Sequence, residues 1–154
     1  MPRPMRRDDR ALTDEQAAEI LQKGEYGILS TVSADGQPYG VPVSFAFDGN
    51  ALYFHCAVEG HKLENLAANP RVSFCVVGAT EVLPDKFATR YESAIVFGTA
   101  RELTGDEQHA ALTEILKKYS ADFLEKGEKY IESDMPKTRA FRIEIESLSG
   151  KARR

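Results

Sequence analysis

Three segments, YGILSTVS (26–33), YGVPVSFAF (39–47) and ALYFHC (51–56), follow one another across two Asp-Gly turns, ADGQP (34–38) and DGN (48–50). Asp-Gly supplies the positive φ that a tight hairpin needs, so this succession predicts antiparallel neighbours. Val41, Val43, Phe45 and Phe47 recur at period two and give the middle segment one apolar face. A three-strand meander with one buried face is the strongest structural signal in the chain.

The rest of the chain must cover that face. Residues 12–23 read as a helix, with a Thr13/Gln16 capping box, an Ala17, Ile20 and Leu21 stripe, and Gly24 as a stop. Residues 60–68 read as a short helix that ends before Pro70, since the residue before proline avoids helical backbone. RVSFCVV (71–77), SAIVFGTAREL (93–103) and TRAFRIEIESL (138–148) read as strands, the last with Phe141, Ile143 and Ile145 on one face. Between the first two, 78–92 is expected to be a long loop. Residues 106–119 form an amphipathic helix pattern with Leu112, Ile115, Leu116 and Tyr119 on one side, and 120–136 read as irregular or partly helical. Six antiparallel strands with inserted helices suggest a mainly β protein, a small closed barrel in one domain over 1–154. The ends, 1–10 and 149–154, are expected to be solvated tails.

Charge and composition exclude several classes. The net charge is −4. Residues 1–10 hold four arginines against two aspartates, and KARR at 151–154 adds three positives, which leaves the body near −9. An acidic body disfavours nucleic acid as a partner. No apolar run approaches the ~18 residues of a membrane span. MPRPMRRDDR has charge without an apolar stretch, so no secretory signal is expected. The two cysteines, Cys56 and Cys75, fit a reducing compartment and small core positions, and a cytoplasmic location is expected.

Gly60-His61-Lys62 opens helix 60–68. Cations at a helix N-terminus are mildly unfavourable. Glycine there lets backbone approach a ligand, and the free N–H groups of the first turn suit an anion such as phosphate. The plain alternative is a solvent-facing helix with a basic first turn. Pro42, inside a strand pattern, implies an edge or a bulge. His55, Cys56, His61 and Cys75 lack the spacing of a zinc site, and no metal is expected. His109 falls on the polar side of helix 106–119 and is expected to be solvated. No nucleophile motif, phosphate loop or dinucleotide fingerprint is present, which fits chemistry supplied by a cofactor.

The run GEYGILSTVSADGQPYGVPVSFAFDGNALYFHCAVEGHKLENLAANPRVSFCVVG, with MRRDDRALTDEQAAEIL before it and TRYESAIVFGTAREL after it, resembles the pyridoxamine 5'-phosphate oxidase-like flavin-binding split barrels, and among them the nitroimidazole-resistance branch. The resemblance covers roughly residues 5–151. It implies a six-stranded antiparallel FMN-binding split barrel and a homodimer with its two sites at the subunit interface. It places the FMN phosphate at Gly60, His61 and Lys62, with His55, Cys56 and Ala57 close by. It places the flavin ring along Pro42, Val43 and Ser44, with backbone groups freed by a bulge at Pro42. Ser30 and Thr31 become further contacts, and Glu92 and Ser93 would reach a site from either subunit. True pyridoxamine phosphate oxidases carry R-x-V-L-L-K and Ser-Arg-Lys where this chain has YGVPVSF and Gly-His-Lys, and they end in Trp and Arg motifs. This chain has no tryptophan, so vitamin B6 oxidation is not expected. The implied activity is electron transfer from NAD(P)H to a small acceptor such as a nitro compound. The alternatives are a non-catalytic flavin or haem binder with His55 or His61 as ligand, and a deazaflavin-dependent reductase. His61 is the candidate for a direct role.

Overall fold

A computed structural model describes residues 3–154. Met1 and Pro2, part of the expected tail 1–10, lie outside the described residues. Helix α1 (Asp14–Lys23) begins at Thr13, whose hydroxyl accepts from Gln16 N while the Gln16 side chain accepts from Thr13 N, so the capping box forms in full. Its stripe of Ala17, Ile20 and Leu21 is buried.

The meander forms as β1 (Gly27–Val32), β2 (Pro38–Val43), β3 (Ala46–Phe47) and β4 (Ala51–Cys56). Then come α2 (His61–Ala68), β5 (Arg71–Leu83), β6 (Ala88–Leu103), α3 (Gly105–Tyr119), α4 (Leu124–Asp134) and β7 (Arg139–Arg153). One antiparallel sheet runs in the order β2-β1-β5-β6-β7-β4-β3. This is the mainly β architecture with inserted helices, but among the described residues it has seven strands rather than six and its hydrogen-bonded ladder does not close. The extra strand comes from a break in 39–47 at Ser44 and Phe45. Phe45 leaves the ladder because its backbone is taken by α3: its N–H donates to the Tyr119 hydroxyl (3.1 Å), and its carbonyl accepts from Lys118 Nζ (2.9 Å). The Tyr119 hydroxyl in turn donates to the Glu25 carbonyl. The two free edges, β2 and β3, are thus consecutive pieces of chain. Pro42 needs no bulge. The β1–β2 register is unbroken through Ile28↔Pro42, and β2 is an edge strand, where proline is tolerated.

The expected loop 78–92 is a second correction. β5 continues to Leu83, a short 3-10 turn spans Pro84–Lys86, and β6 begins at Ala88. The expected C-terminal tail is a third: β7 reaches Arg153, pairs with β6 as far as Tyr91↔Arg153, and bridges Lys151 to Ala11. His109 is 40% exposed, as a solvated polar-face residue should be, and its Nε2 lies 3.2 Å from Glu128 Oε2 of α4.

Phe45, Phe54, Phe74, Leu29, Val76 and Ile143 fill the main core, with no exposed surface. A second cluster lies under α3 and α4 around Tyr53, Leu103, Leu112 and Ile131. Cys56 packs on the main cluster, while Cys75 sits half-buried on the outer face opposite Ile28 and Ile95. Burial pushes both thiols up. Among the described residues no helix is long and apolar enough to cross a membrane.

The Lys118 ammonium sits 3.6 Å from the centre of the Phe45 ring. Burial lowers its pKa to about 8 from 10.5. The unfolded chain therefore binds this proton more tightly than the folded one, so stability rises as pH climbs from about 8 to 10.5. Lys118→Met is expected to remove that rise, roughly 1–2 kcal/mol after allowance for solvent screening. Urea melts of both proteins at pH 7 and pH 10 measure it; parallel pH profiles would refute the burial of this charge.

Candidate functional site

β4 ends at Cys56, the chain turns through Ala57 to Gly60, and α2 starts at His61. Gly60 has φ 151°, a backbone setting unfavourable to residues with a Cβ, and a Cβ built there would meet no heavy atom within 4 Å. Where α1 has a capping side chain, α2 has none. Its first intrahelical bond runs from Glu64 N to the Gly60 carbonyl (3.2 Å), so the N–H groups of His61, Lys62 and Leu63 have no partner within the helix. Gly60 and His61 are exposed.

The helix is fixed by its other side. Leu63 and Leu66 are buried. Asn65 is 2% exposed, and its Nδ2 donates to the hydroxyl of Thr31, itself 4% exposed, at 2.9 Å. This buried polar pair locks α2 to β1, since breaking it would leave one partner unsatisfied. Thr31 thus faces inward under α2. Its neighbour Ser30 faces the opposite side of the sheet, across from Gly40 and Ser73, beside a cavity of about 290 Å³.

His61 stacks on Tyr39 of β2, ring centres 4.0 Å apart at 29°. Lys62 is half-buried beside the end of β4. Its charge reaches His55, whose pKa is lowered first by burial and then by Lys62. It also acts on Cys56, which lies near the Arg139–Glu102 pair (Nε to Oε2, 3.0 Å). His55, Cys56, Ala57, His61 and Lys62 therefore gather around one glycine turn. Pro42 and Ser44 are exposed on the edge, whereas the Val43 side chain enters the core and offers only its backbone outward.

Glu92 and Ser93 stand elsewhere within the chain. The Glu92 carboxylate accepts from Ala79 N (3.3 Å) where the β5–β6 register shifts, and it lines a cavity of about 460 Å³ with Lys23, Tyr26 and Thr80. Among the described residues no group of three or more His, Cys, Asp or Glu is placed to hold a metal. Sequence reasoning passed over Asn65 and Tyr39. Asn65 carries no periodic signal, falling between Leu63 and Leu66, and the Tyr39 stack joins residues far apart in sequence.

N–H groups without a helical partner, with Lys62 in the same first turn, are a donor set suited to an anion such as phosphate.

The family model for pyridoxamine 5'-phosphate oxidase matches residues 13–152. A FAD-binding protein from Mesorhizobium loti superposes with a TM-score of 0.68 at 28% identity, covering 94% of this chain and 98% of that one. A candidate 5-nitroimidazole antibiotic resistance protein from Bacteroides thetaiotaomicron shares the fold, with a TM-score of 0.81 at 21% identity over 92% of this chain and 86% of that one. A 5a,11a-dehydrotetracycline/5a,11a-dehydrooxytetracycline reductase from Streptomyces rimosus is 30% identical over 95 residues, 59% of this chain and 63% of that protein. The curated relatives are matched over 57% to 63% of their own length. Since the family model runs from the cap of α1 nearly to the end of β7 and spans the α2 turn, the chain belongs to the pyridoxamine 5'-phosphate oxidase family.

Proposed function

We propose that this chain is an FMN-binding oxidoreductase of the nitroimidazole-resistance type, cytoplasmic and homodimeric, that passes electrons from NAD(P)H to a small acceptor such as a nitro-aromatic compound. The observation that carries this reading is the uncapped, glycine-led first turn of α2 with Lys62 beside it. A bound flavin supplies the two-electron chemistry. The chain supplies binding and orientation. The N–H groups of residues 61–63 and the Lys62 ammonium hold the phosphate. Tyr39 fixes the His61 ring, which can then donate from its free edge. The backbone at Pro42, Val43 and Ser44 borders the polar edge of the ring system. Val77, Ile95 and Phe97 expose one apolar face of β5 and β6, an area suited to a second copy. The reductase relative from Streptomyces rimosus and the FAD-binding relative from Mesorhizobium loti support the redox and flavin parts of the reading.

The visible spectrum of the purified protein, before and after added FMN, tests it. Two flavin bands that NAD(P)H bleaches are expected. A protein that takes up no FMN overturns the reading. A Soret band on added hemin, abolished in His61→Ala, would establish the haem-binding alternative instead. Displacement of FMN by a deazaflavin would assign the site to that cofactor.

A further inference from the structure

We infer that Tyr119 and Lys118, at the end of α3, are positioning residues for the flavin ring: they hold the chain at Ser44 and Phe45 out of the sheet and so fix the edge that the ring meets. The inference rests on the flavin reading. Val41, Val43, Phe45 and Phe47 alternate in the sequence as one strand would. In the structure the alternation stops at Ser44, which is exposed, and Phe45, Ala46 and Phe47 are all buried. A segment that departs from its own local pattern is held there by something else, and such departures are expected at functional sites.

The holding groups are on α3. The Tyr119 hydroxyl accepts from Phe45 N at 3.1 Å and donates to the Glu25 carbonyl, and Lys118 Nζ donates to the Phe45 carbonyl at 2.9 Å. Both backbone groups of Phe45 are thereby bonded to side chains. The Phe45 ring is fixed as well, edge-on to Phe74. Through Glu25 the same hydroxyl ties the break to the α1–β1 connection, where Gly24, Glu25 and Tyr26 line a cavity with Glu92. The two stretches proposed to border the ring, Pro42–Ser44 and the segment at Glu92, are thus joined through one side chain.

The consequence falls on β2. It is an edge strand that ends at Val43, and an edge presents backbone groups that the sheet does not use. Those groups can meet the polar edge of a ring only where the strand ends at a fixed place. The α3 clamp sets that place before any ligand arrives, so binding does not have to order the segment. A looseness of about 1 Å at such a site is enough to lose its bonds. A clamp that served stability alone would act on every ligand and on none; a positioning clamp acts on the ring end and spares the phosphate end.

The test uses Tyr119→Phe, which keeps the ring and removes the hydroxyl, and Lys118→Met as a second variant. The first readout needs no cofactor. Amide hydrogen exchange across residues 43–46 should be faster in both variants than in the parent, with α2 unchanged. The second is affinity for FMN and for riboflavin. Tyr119→Phe should weaken both by the same factor, about five- to tenfold for one lost hydrogen bond, because the ring is common to both. Ile131→Ala, in the second buried cluster, controls for lost stability and should leave both affinities as in the parent. Exchange at 43–46 equal to that of the parent overturns the clamp. Faster exchange with unchanged riboflavin affinity overturns the positioning role, as does an equal loss in Ile131→Ala. Each of these results leaves the flavin reading standing, whereas a parent that takes up neither flavin overturns that reading and the positioning role with it.

Discussion

Phe74→Ala is expected to lower the unfolding free energy by about 3–5 kcal/mol, the range for a fully buried phenylalanine whose site cannot collapse. Phe74 has no exposed surface and packs edge-on against Phe45, ring centres 5.0 Å apart at 67°. Its ring also occupies the space above Gly27, where a Cβ would overlap it. Gly27→Ala alone should therefore cost about 1–3 kcal/mol by crowding. The double variant separates the two effects. Once the ring is gone, the alanine methyl has room, so the combined loss should fall short of the sum by about 1 kcal/mol or more. Urea unfolding of the four proteins gives the cycle. Strict additivity would mean that Gly27 is small for another reason.

That cycle concerns a part of the fold that was legible in the sequence. Val43, Phe45 and Phe47 alternate as a buried face should, and the two Asp-Gly pairs mark turns that form, with Gly36 and Gly49 at positive φ. What the pattern could not show was where the alternation stops being a ladder. The break at Ser44 and Phe45 depends on Tyr119, 74 residues further on. A hydrogen bond over that separation leaves no mark in local periodicity. The 78–92 hairpin was missed for the opposite reason. Val82 and Phe87 face solvent, so there was no buried face for periodicity to report. The β7 extension was missed because SGKARR looks like a basic tail, whereas backbone pairing to β6 holds it. In the candidate site, the place of Gly60, His61 and Lys62 at the start of α2 was readable, because a glycine precedes the apolar-periodic run that ends before Pro70. Asn65 was not, because a buried asparagine looks like any polar helix residue until Thr31 is seen beneath it.

Lys62→Ala is expected to weaken FMN binding about ten- to a hundredfold, which corresponds to one lost charge-assisted bond of roughly 1.5–3 kcal/mol. Lys62→Arg should keep most of the affinity, because charge and donors persist at that position. The half-burial of Lys62 shields it partly from salt, so the loss should shrink only modestly at high ionic strength. Riboflavin, which lacks the phosphate, discriminates between explanations: its affinity should be the same in Lys62→Ala and the parent. A second readout needs no cofactor. The Lys62 charge contributes to the lowered pKa of His55, so its removal should raise that pKa, measurable by NMR titration of the ring protons. A raised His55 pKa with unchanged FMN affinity would place Lys62 near His55 but remove it from the phosphate. Equal losses for FMN and riboflavin would mean that Lys62 supports the turn rather than the anion. Only a phosphate-dependent loss, with the His55 shift beside it, leaves the basic pair facing a bound anion.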